Sequence, residues 1–196
     1  MPGSEPGPVS ALAGAGGASA ANADTPVAEQ LLRFVRDVPD YPRTGVVFKD
    51  ITPLLADAAA FAAAVTALAA GHEGIDKVAG IEARGFILAA PVACRLGVGF
   101  VPVRKLGKLP GPTHSQSYEL EYGTAAVEVK VDAFAPGERV LLIDDVLATG
   151  GTAAATAALI RRCEAEVSSL GVLIELGLLG GRANLAGLDV RALLAV

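Results

Sequence analysis

One run of residues constrains this chain more than any other. Residues 139–143 read Arg-Val-Leu-Leu-Ile, an aliphatic stretch too short for a helix and bounded by charge. Such a run fits a strand buried on both faces, as in parallel sheets covered by helices. The loop expected after it reads Asp144, Asp145, Val146, Leu147, Ala148, Thr149, Gly150, Gly151 and Thr152, with an alanine-rich helix from there to about residue 164. A buried strand that turns directly into a helix is half of a βαβ unit. It requires a parallel neighbour and a right-handed crossover.

The same alternation recurs. Residues 77–81 read as a strand, 82–85 as a loop, 86–96 as a helix closed by Gly97, and 99–103 as the next strand. Further strands are expected at 167–176 and 190–196. The fold class is therefore α/β, an open, mostly parallel sheet flanked by helices. Ligands in such folds sit at the carboxyl ends of strands. Upstream, Thr25-Pro26 starts a helix whose face is Val27, Leu31, Phe34, Val35 and Val38, and Pro39 stops it. Asp57 caps a second helix with Phe61, Val65 and Leu68 inward and Gly71 at its end. Residues 104–117 read as irregular. Residues 118–131, split at Gly123-Thr124, read as an antiparallel ribbon. In its second arm Val127, Val129 and Val131 face one way, Glu128 and Lys130 the other. Residues 1–24 are low-complexity and expected to be a disordered tail, leaving 25–196 as a single domain.

Composition narrows the function classes. Of 196 residues, 52% are hydrophobic but only 5% aromatic, so the core is built from Ala, Val, Leu and Ile. Lys+Arg total 16 against 21 Asp+Glu, a net charge of −5. This lacks the basic footprint of a nucleic-acid partner but allows a local cationic pocket. The charge-free run 6–23 is too weakly apolar for a membrane span. No Lys or Arg precedes Arg33, as a signal peptide would need, so a cytoplasmic protein is expected. Cys94 and Cys163 form no Cys-x-x-Cys pair and read as packing residues. Of the two histidines, His72 reads as solvated and His114 falls in the irregular segment; neither is given a role.

The turn after residue 143 carries the chemistry. Adjacent carboxylates repel, so a ligand should reward keeping both, and vicinal ribose hydroxyls do so by donating hydrogen bonds. Gly150 and Gly151 let the backbone approach an anion. Thr149 and Thr152 add hydroxyl donors, and the helix N-terminus aims N–H groups at the same spot. Together they suit a ribose 5-phosphate. An ordinary tight turn needs neither the double Asp nor the threonines.

VLLIDDVLATGGT at 140–152 resembles the signature of type I phosphoribosyltransferases, which bind 5-phosphoribosyl 1-diphosphate (PRPP). YPRTGVVFKDITPLL at 41–55, GIEARGF at 80–86 and RKLGKLPGPTHSQSYELEYGT at 104–124 narrow the resemblance to the adenine phosphoribosyltransferase family. The four segments are collinear and span roughly residues 30–180. The resemblance implies a type I phosphoribosyltransferase fold with a small N-terminal hood and a β-ribbon lid. It implies a purine-salvage, pentosyl-transferring enzyme that makes AMP and pyrophosphate from adenine and PRPP. The implied transition state is oxocarbenium-like, with Mg2+ carried by PRPP and water rather than by a protein cage, and the implied assembly is a homodimer.

Residue roles follow from the same resemblance. Asp144 and Asp145 would contact the ribose hydroxyls, and Ala148, Thr149, Gly150, Gly151 and Thr152 the 5-phosphate. Arg84, Arg104, Lys105 and Lys108 would bind the diphosphate, some of them across the dimer interface. Arg84 and Lys105 would stabilise its departure. Val47, Phe48 and Lys49 would read adenine, largely through main-chain groups, with Val146 on the base's other face. Glu121 is the expected acid/base on the purine ring nitrogens, beside Tyr122. Residues alone leave blander readings open: Arg84 paired with Glu82 at the surface, Phe48 in the core, a solvated basic loop, and Glu121 as a cross-strand residue. Rival functions are transfer to a 6-oxo purine, a non-catalytic PRPP sensor, and a phosphoacceptor receiver domain. The sensor lacks a DNA-binding element, and the receiver does not explain the glycine-threonine turn.

Overall fold

The computed structural model describes residues 25–119 and 123–196. Its centre is a seven-stranded sheet in the order β5-β6-β4-β3-β7-β8-β9. The strands are β3 (Lys77–Ile81), β4 (Gly99–Lys105), β5 (Thr113–Glu119), β6 (Thr124–Lys130), β7 (Arg139–Leu147), β8 (Glu166–Glu175) and β9 (Val190–Ala195). The run β4-β3-β7-β8-β9 is parallel, while β6 pairs antiparallel with both β4 and β5. A separate two-stranded sheet of β1 (Arg36–Pro39) and β2 (Val47–Asp50) sits upstream. The expected open, mostly parallel sheet is thus the one observed.

Alternate residues of β7 from Val140 to Ile143 serve two cores, which is why that stretch is apolar throughout. Val140 and Leu142 pack with Leu159 and Ile160 of α5 (Gly151–Arg162). Leu141 and Ile143 pack with Leu68 of α3 (Ala58–Ala69) and Leu88 of α4 (Arg84–Leu96). All four β7 residues are fully buried. Burial of each contributes about 1.5–3 kcal/mol. Asp57 caps α3 as expected, its carboxylate accepting from the Ala60 N–H at 2.8 Å. Gly97 closes α4 in the left-handed conformation.

Several expectations are corrected. The first helix, α1 (Thr25–Leu32), ends early, and 36–39 is a strand because 47–50 offers it an antiparallel partner. A short helix, α2 (Thr52–Ala56), precedes α3. Arg84 and Gly85 belong to α4 rather than to a loop. The acidic pair lies on β7, whose pairing with β8 continues to Leu147. The irregular segment ends at Pro112, since 113–119 pair with β6. Val131 is exposed, unlike Val127 and Val129, and Glu128 on the other side of the strand is buried. His72 is buried too, its Nδ1 3.3 Å from the Ser169 hydroxyl. Cys94 is exposed, whereas Cys163 packs partly against the core. The low-complexity tail at 1–24, Glu121 and Tyr122 lie outside the described residues.

Candidate active site

The chain leaves β3 for β4 on one side and later returns as β7 on the other. That reversal opens a crevice at the carboxyl ends of β3 and β7, where open α/β sheets bind ligands. The register pairs Gly80 with Ile143. One step further, Glu82, Ala83 and Arg84 therefore meet Asp144 and Asp145. A cavity of about 690 Å³ lies here, lined by Arg84, Lys105, Tyr118, Asp144, Asp145 and Thr152 among others.

Asp145 is buried, with Oδ2 2.7 Å from Arg84 Nη2. That contact is a charge pairing without hydrogen-bond alignment, so Oδ2 has no hydrogen-bond donor among the described residues. The Asp145 N–H donates to Asp144 Oδ1 at 2.9 Å. Burial, and then the charge of Asp145, hold Asp144 well above the usual carboxylate range. Burial also raises Asp145, and Arg84 opposes the rise. The pair therefore holds protons more tightly than free carboxylates do. Hydroxyl donors from a ligand would favour the ionised form. Gly85 is required beside them, because a Cβ there would lie 2.9 Å from Asp144 Oδ1.

Arg84 is positioned by three elements. It begins α4, donates to the Lys49 carbonyl at 3.3 Å and lies 4.7 Å above the Phe48 ring. Its partner is Asp145, not Glu82. Phe48 is only partly buried and also packs edge-on against Tyr41. Val47 is exposed, and Lys49 pairs with Asp37 at 2.7 Å. The hood strand thus brings Val47, Phe48 and Lys49 to the rim beside Arg84. Val146 is partly buried and packs with the α3–α4 side of the core.

The turn after β7 forms a smaller hollow of about 80 Å³, lined by Ala148, Thr149, Gly150, Gly151 and Thr152 with their neighbours. Gly150 caps α5 at φ +82. The N–H groups of Gly151, Thr152 and Ala153 precede the first intrahelical acceptor and remain available to an anion. A Cβ on Gly150 would collide with the Gly181 carbonyl, and the Asn184 side chain donates to the Thr149 carbonyl at 2.8 Å. The Thr152 hydroxyl donates to the Tyr118 hydroxyl at 3.2 Å, joining the turn to the ribbon.

The basic segment is less free than its sequence suggests. Arg104 pairs with Glu82 at 3.3 Å and donates to the Lys108 carbonyl at 3.1 Å. The side chains of Lys105 and Lys108 have no carboxylate partner among the described residues, and Lys105 lines the cavity. Burial would raise the Glu82 pKa, but the Lys105 N–H and the Arg104 guanidinium outweigh it and hold the carboxyl below its ordinary value.

Sequence reasoning missed Tyr118, Glu128 and Asn184, and it named Glu82 only as a surface partner of Arg84, whereas it pairs with Arg104. The nearest signal was a Glu inside the otherwise apolar Ala-Ala-Val-Glu-Val run, and that signal does not name its partners. His114 is exposed on β5.

The fold has known counterparts. A phosphoribosyl transferase domain model matches residues 49–181. The adenine phosphoribosyltransferase of Streptomyces coelicolor is 62% identical over 178 residues, covering 88% of this chain and 98% of that protein. The crystal structure of adenine phosphoribosyltransferase from Thermoanaerobacter pseudethanolicus has a TM-score of 0.84 at 49% identity, covering 86% of this chain and 99% of that one. The Saccharomyces cerevisiae enzyme was crystallised with adenine and an imino-altritol bisphosphate. It has a TM-score of 0.82 at 35% identity, covering 87% of this chain and 99% of that one.

Proposed function

The chain belongs to the adenine phosphoribosyltransferase family, and on that premise we propose how its cleft carries out the family's reaction. The protein is a purine-salvage, pentosyl-transferring enzyme that converts adenine and PRPP to AMP and pyrophosphate. One observation carries the residue assignment: a carboxylate pair, Asp144 partly buried and Asp145 buried with an oxygen that has no hydrogen-bond donor among the described residues, lies between a guanidinium and a helix N-terminus.

Asp144 and Asp145 accept hydrogen bonds from the ribose hydroxyls. The hollow at Ala148, Thr149, Gly150, Gly151 and Thr152 takes the 5-phosphate on backbone N–H groups and hydroxyls. Arg84, Lys105 and Lys108 face the diphosphate, each charge-assisted bond contributing about 1.5–3 kcal/mol. Arg104, held by Glu82, adds charge from behind. Main-chain groups of Val47, Phe48 and Lys49 read adenine, with the Phe48 ring against the base and Val146 on its far side. Adenine N9 attacks the anomeric carbon as the bond to diphosphate breaks, through an oxocarbenium-like transition state. Glu121 handles the proton of the purine ring, with Tyr122 beside it; their part rests on the SYELEYGT motif. The rate enhancement comes from positioning and from cations placed where negative charge collects.

Among the described residues no cluster of three or more His, Cys, Asp or Glu could hold a metal. Mg2+ would arrive on PRPP, held by its diphosphate and water. Bound there, the ion would neutralise departing negative charge. No described helix is long and apolar enough to cross a membrane, and a cytoplasmic enzyme is proposed. The proposed assembly is a homodimer, supported by exposed Ile87 and Leu106 near the cleft.

The deciding experiment supplies PRPP and Mg2+ with adenine, hypoxanthine, guanine or xanthine in separate reactions and quantifies nucleotide and pyrophosphate. AMP from adenine alone is expected, slowed in Glu121→Gln. No nucleotide from any base, despite tight PRPP binding, would overturn the reading in favour of a sensor.

A further inference from the structure

Between β4 and β5 run seven residues, Leu106, Gly107, Lys108, Leu109, Pro110, Gly111 and Pro112. They form no helix or strand, yet they and the last residue of β4 carry the two lysines proposed to meet the diphosphate. A connection broken by two glycines and two prolines does not hold a charge in place by itself. Something outside it must do so.

Glu128 lies on β6 between Val127 and Val129, whose side chains enter the core. Its own side chain is only 3% exposed. Burying a carboxylate is costly unless donors replace the lost water. Here Oε1 accepts from the Lys108 and Leu109 N–H groups, both at 2.8 Å, and Oε2 from the Thr113 hydroxyl at 3.1 Å. Glu82 grips the last residue of β4, accepting from the Lys105 N–H at 2.9 Å. Both acids hold backbone, not ammonium groups. The loop is therefore fixed while the charges of Lys105 and Lys108 stay available. Arg104 completes the clamp by donating to the Lys108 carbonyl.

We propose that Glu128 is a positioning residue for pyrophosphate chemistry: by accepting from the N–H groups of Lys108 and Leu109, it sets Lys105 and Lys108 at the diphosphate end of the cleft. It touches no reacting atom. The inference rests on the reading that these lysines receive the diphosphate.

The test compares Glu128→Gln with the double variant Lys105→Ala/Lys108→Ala in the full chain. KM for PRPP, KM for adenine, inhibition by pyrophosphate and the urea midpoint are measured for each. Gln keeps the size of Glu but turns an amide donor toward donors. Glu128→Gln is expected to raise KM for PRPP and the pyrophosphate inhibition constant on the order of tenfold. KM for adenine should stay within about twofold, since no charge-assisted bond to the base is lost, while kcat should fall because the misplaced Lys105 stabilises the departing diphosphate less well. A loss of stability alone, with unchanged KM for PRPP, overturns the inference. If the double variant weakens pyrophosphate inhibition and Glu128→Gln does not, only the role of Glu128 falls. If neither does, the loop reading falls with it. Thr113→Val removes one donor and keeps the test decisive should Glu128→Gln fail to fold. It should shift KM for PRPP in the same direction, and no shift counts against the inference.

Discussion

Two pairs of acids serve the same cleft and behave oppositely. Asp144 and Asp145, near the end of β7, are adjacent, Asp144 partly buried and Asp145 buried with one oxygen short of a donor among the described residues, and both are pushed above ordinary carboxylates. Glu82 and Glu128, under the lysine loop, are saturated with N–H and hydroxyl donors and held below their ordinary values. Burial opposes ionisation in all four. Protein donors outweigh it for the glutamates and not for the aspartates. A carboxylate completed by the fold acts as scaffold, while one left incomplete is reserved for a ligand that brings its own donors.

Asp144→Asn tests that contrast most severely. Removing one hydroxyl acceptor should lower kcat/KM for PRPP by about 10–150-fold, the equivalent of 1.5–3 kcal/mol. The same change removes like-charge repulsion, so the urea midpoint at pH 7 should rise. Glu128→Gln should lower it. Matching signs for the two variants would break the comparison.

The next largest effect is structural. Gly150→Ala requires φ near +82 and drives a Cβ into the Gly181 carbonyl. It should cost about 1–3 kcal/mol of stability and weaken PRPP binding more than adenine binding. Calorimetric titration with each ligand would measure both.

Proton linkage sharpens the contrast further. The raised aspartates contribute stability that is complete below pH 3.8 and is lost as pH rises through their folded values. The lowered glutamates contribute stability that is complete above pH 4.5 and is lost as pH falls through theirs. The stability advantage of Asp144→Asn over the parent should therefore shrink as pH drops from 7 toward 4. Urea midpoints across that range would show it, and a constant gap would count against the raised pair.

The smallest effect concerns His72. Burial, then Arg191, lowers its pKa against Asp189 and Glu73, with Ser169 at its Nδ1. The folded state thus prefers neutral imidazole. Stability should fall as pH drops below 6.5 toward the lowered value, and His72→Gln should flatten that slope in thermal melts.

Much of this molecule is legible in its amino-acid sequence. The buried run at 139–143, the acidic pair, the Gly150 turn, the Asp57 cap and the Gly97 stop are signals carried within a few residues. Hydrophobic period, backbone permissiveness and capping act at that range. Tertiary structure alone decided what distant segments exchange. It paired 36–39 with 47–50 and ended the first helix early, turned Arg84 onto Asp145, gave Glu82 to Arg104 and buried His72. Period-two alternation placed Glu128 opposite the valines, and the structure agrees on the side. Whether that side meets water depends on a loop about 20 residues away in sequence, folding over it with its N–H groups inward. Local pattern fixes direction along a strand, and only the completed fold determines which donors wait there.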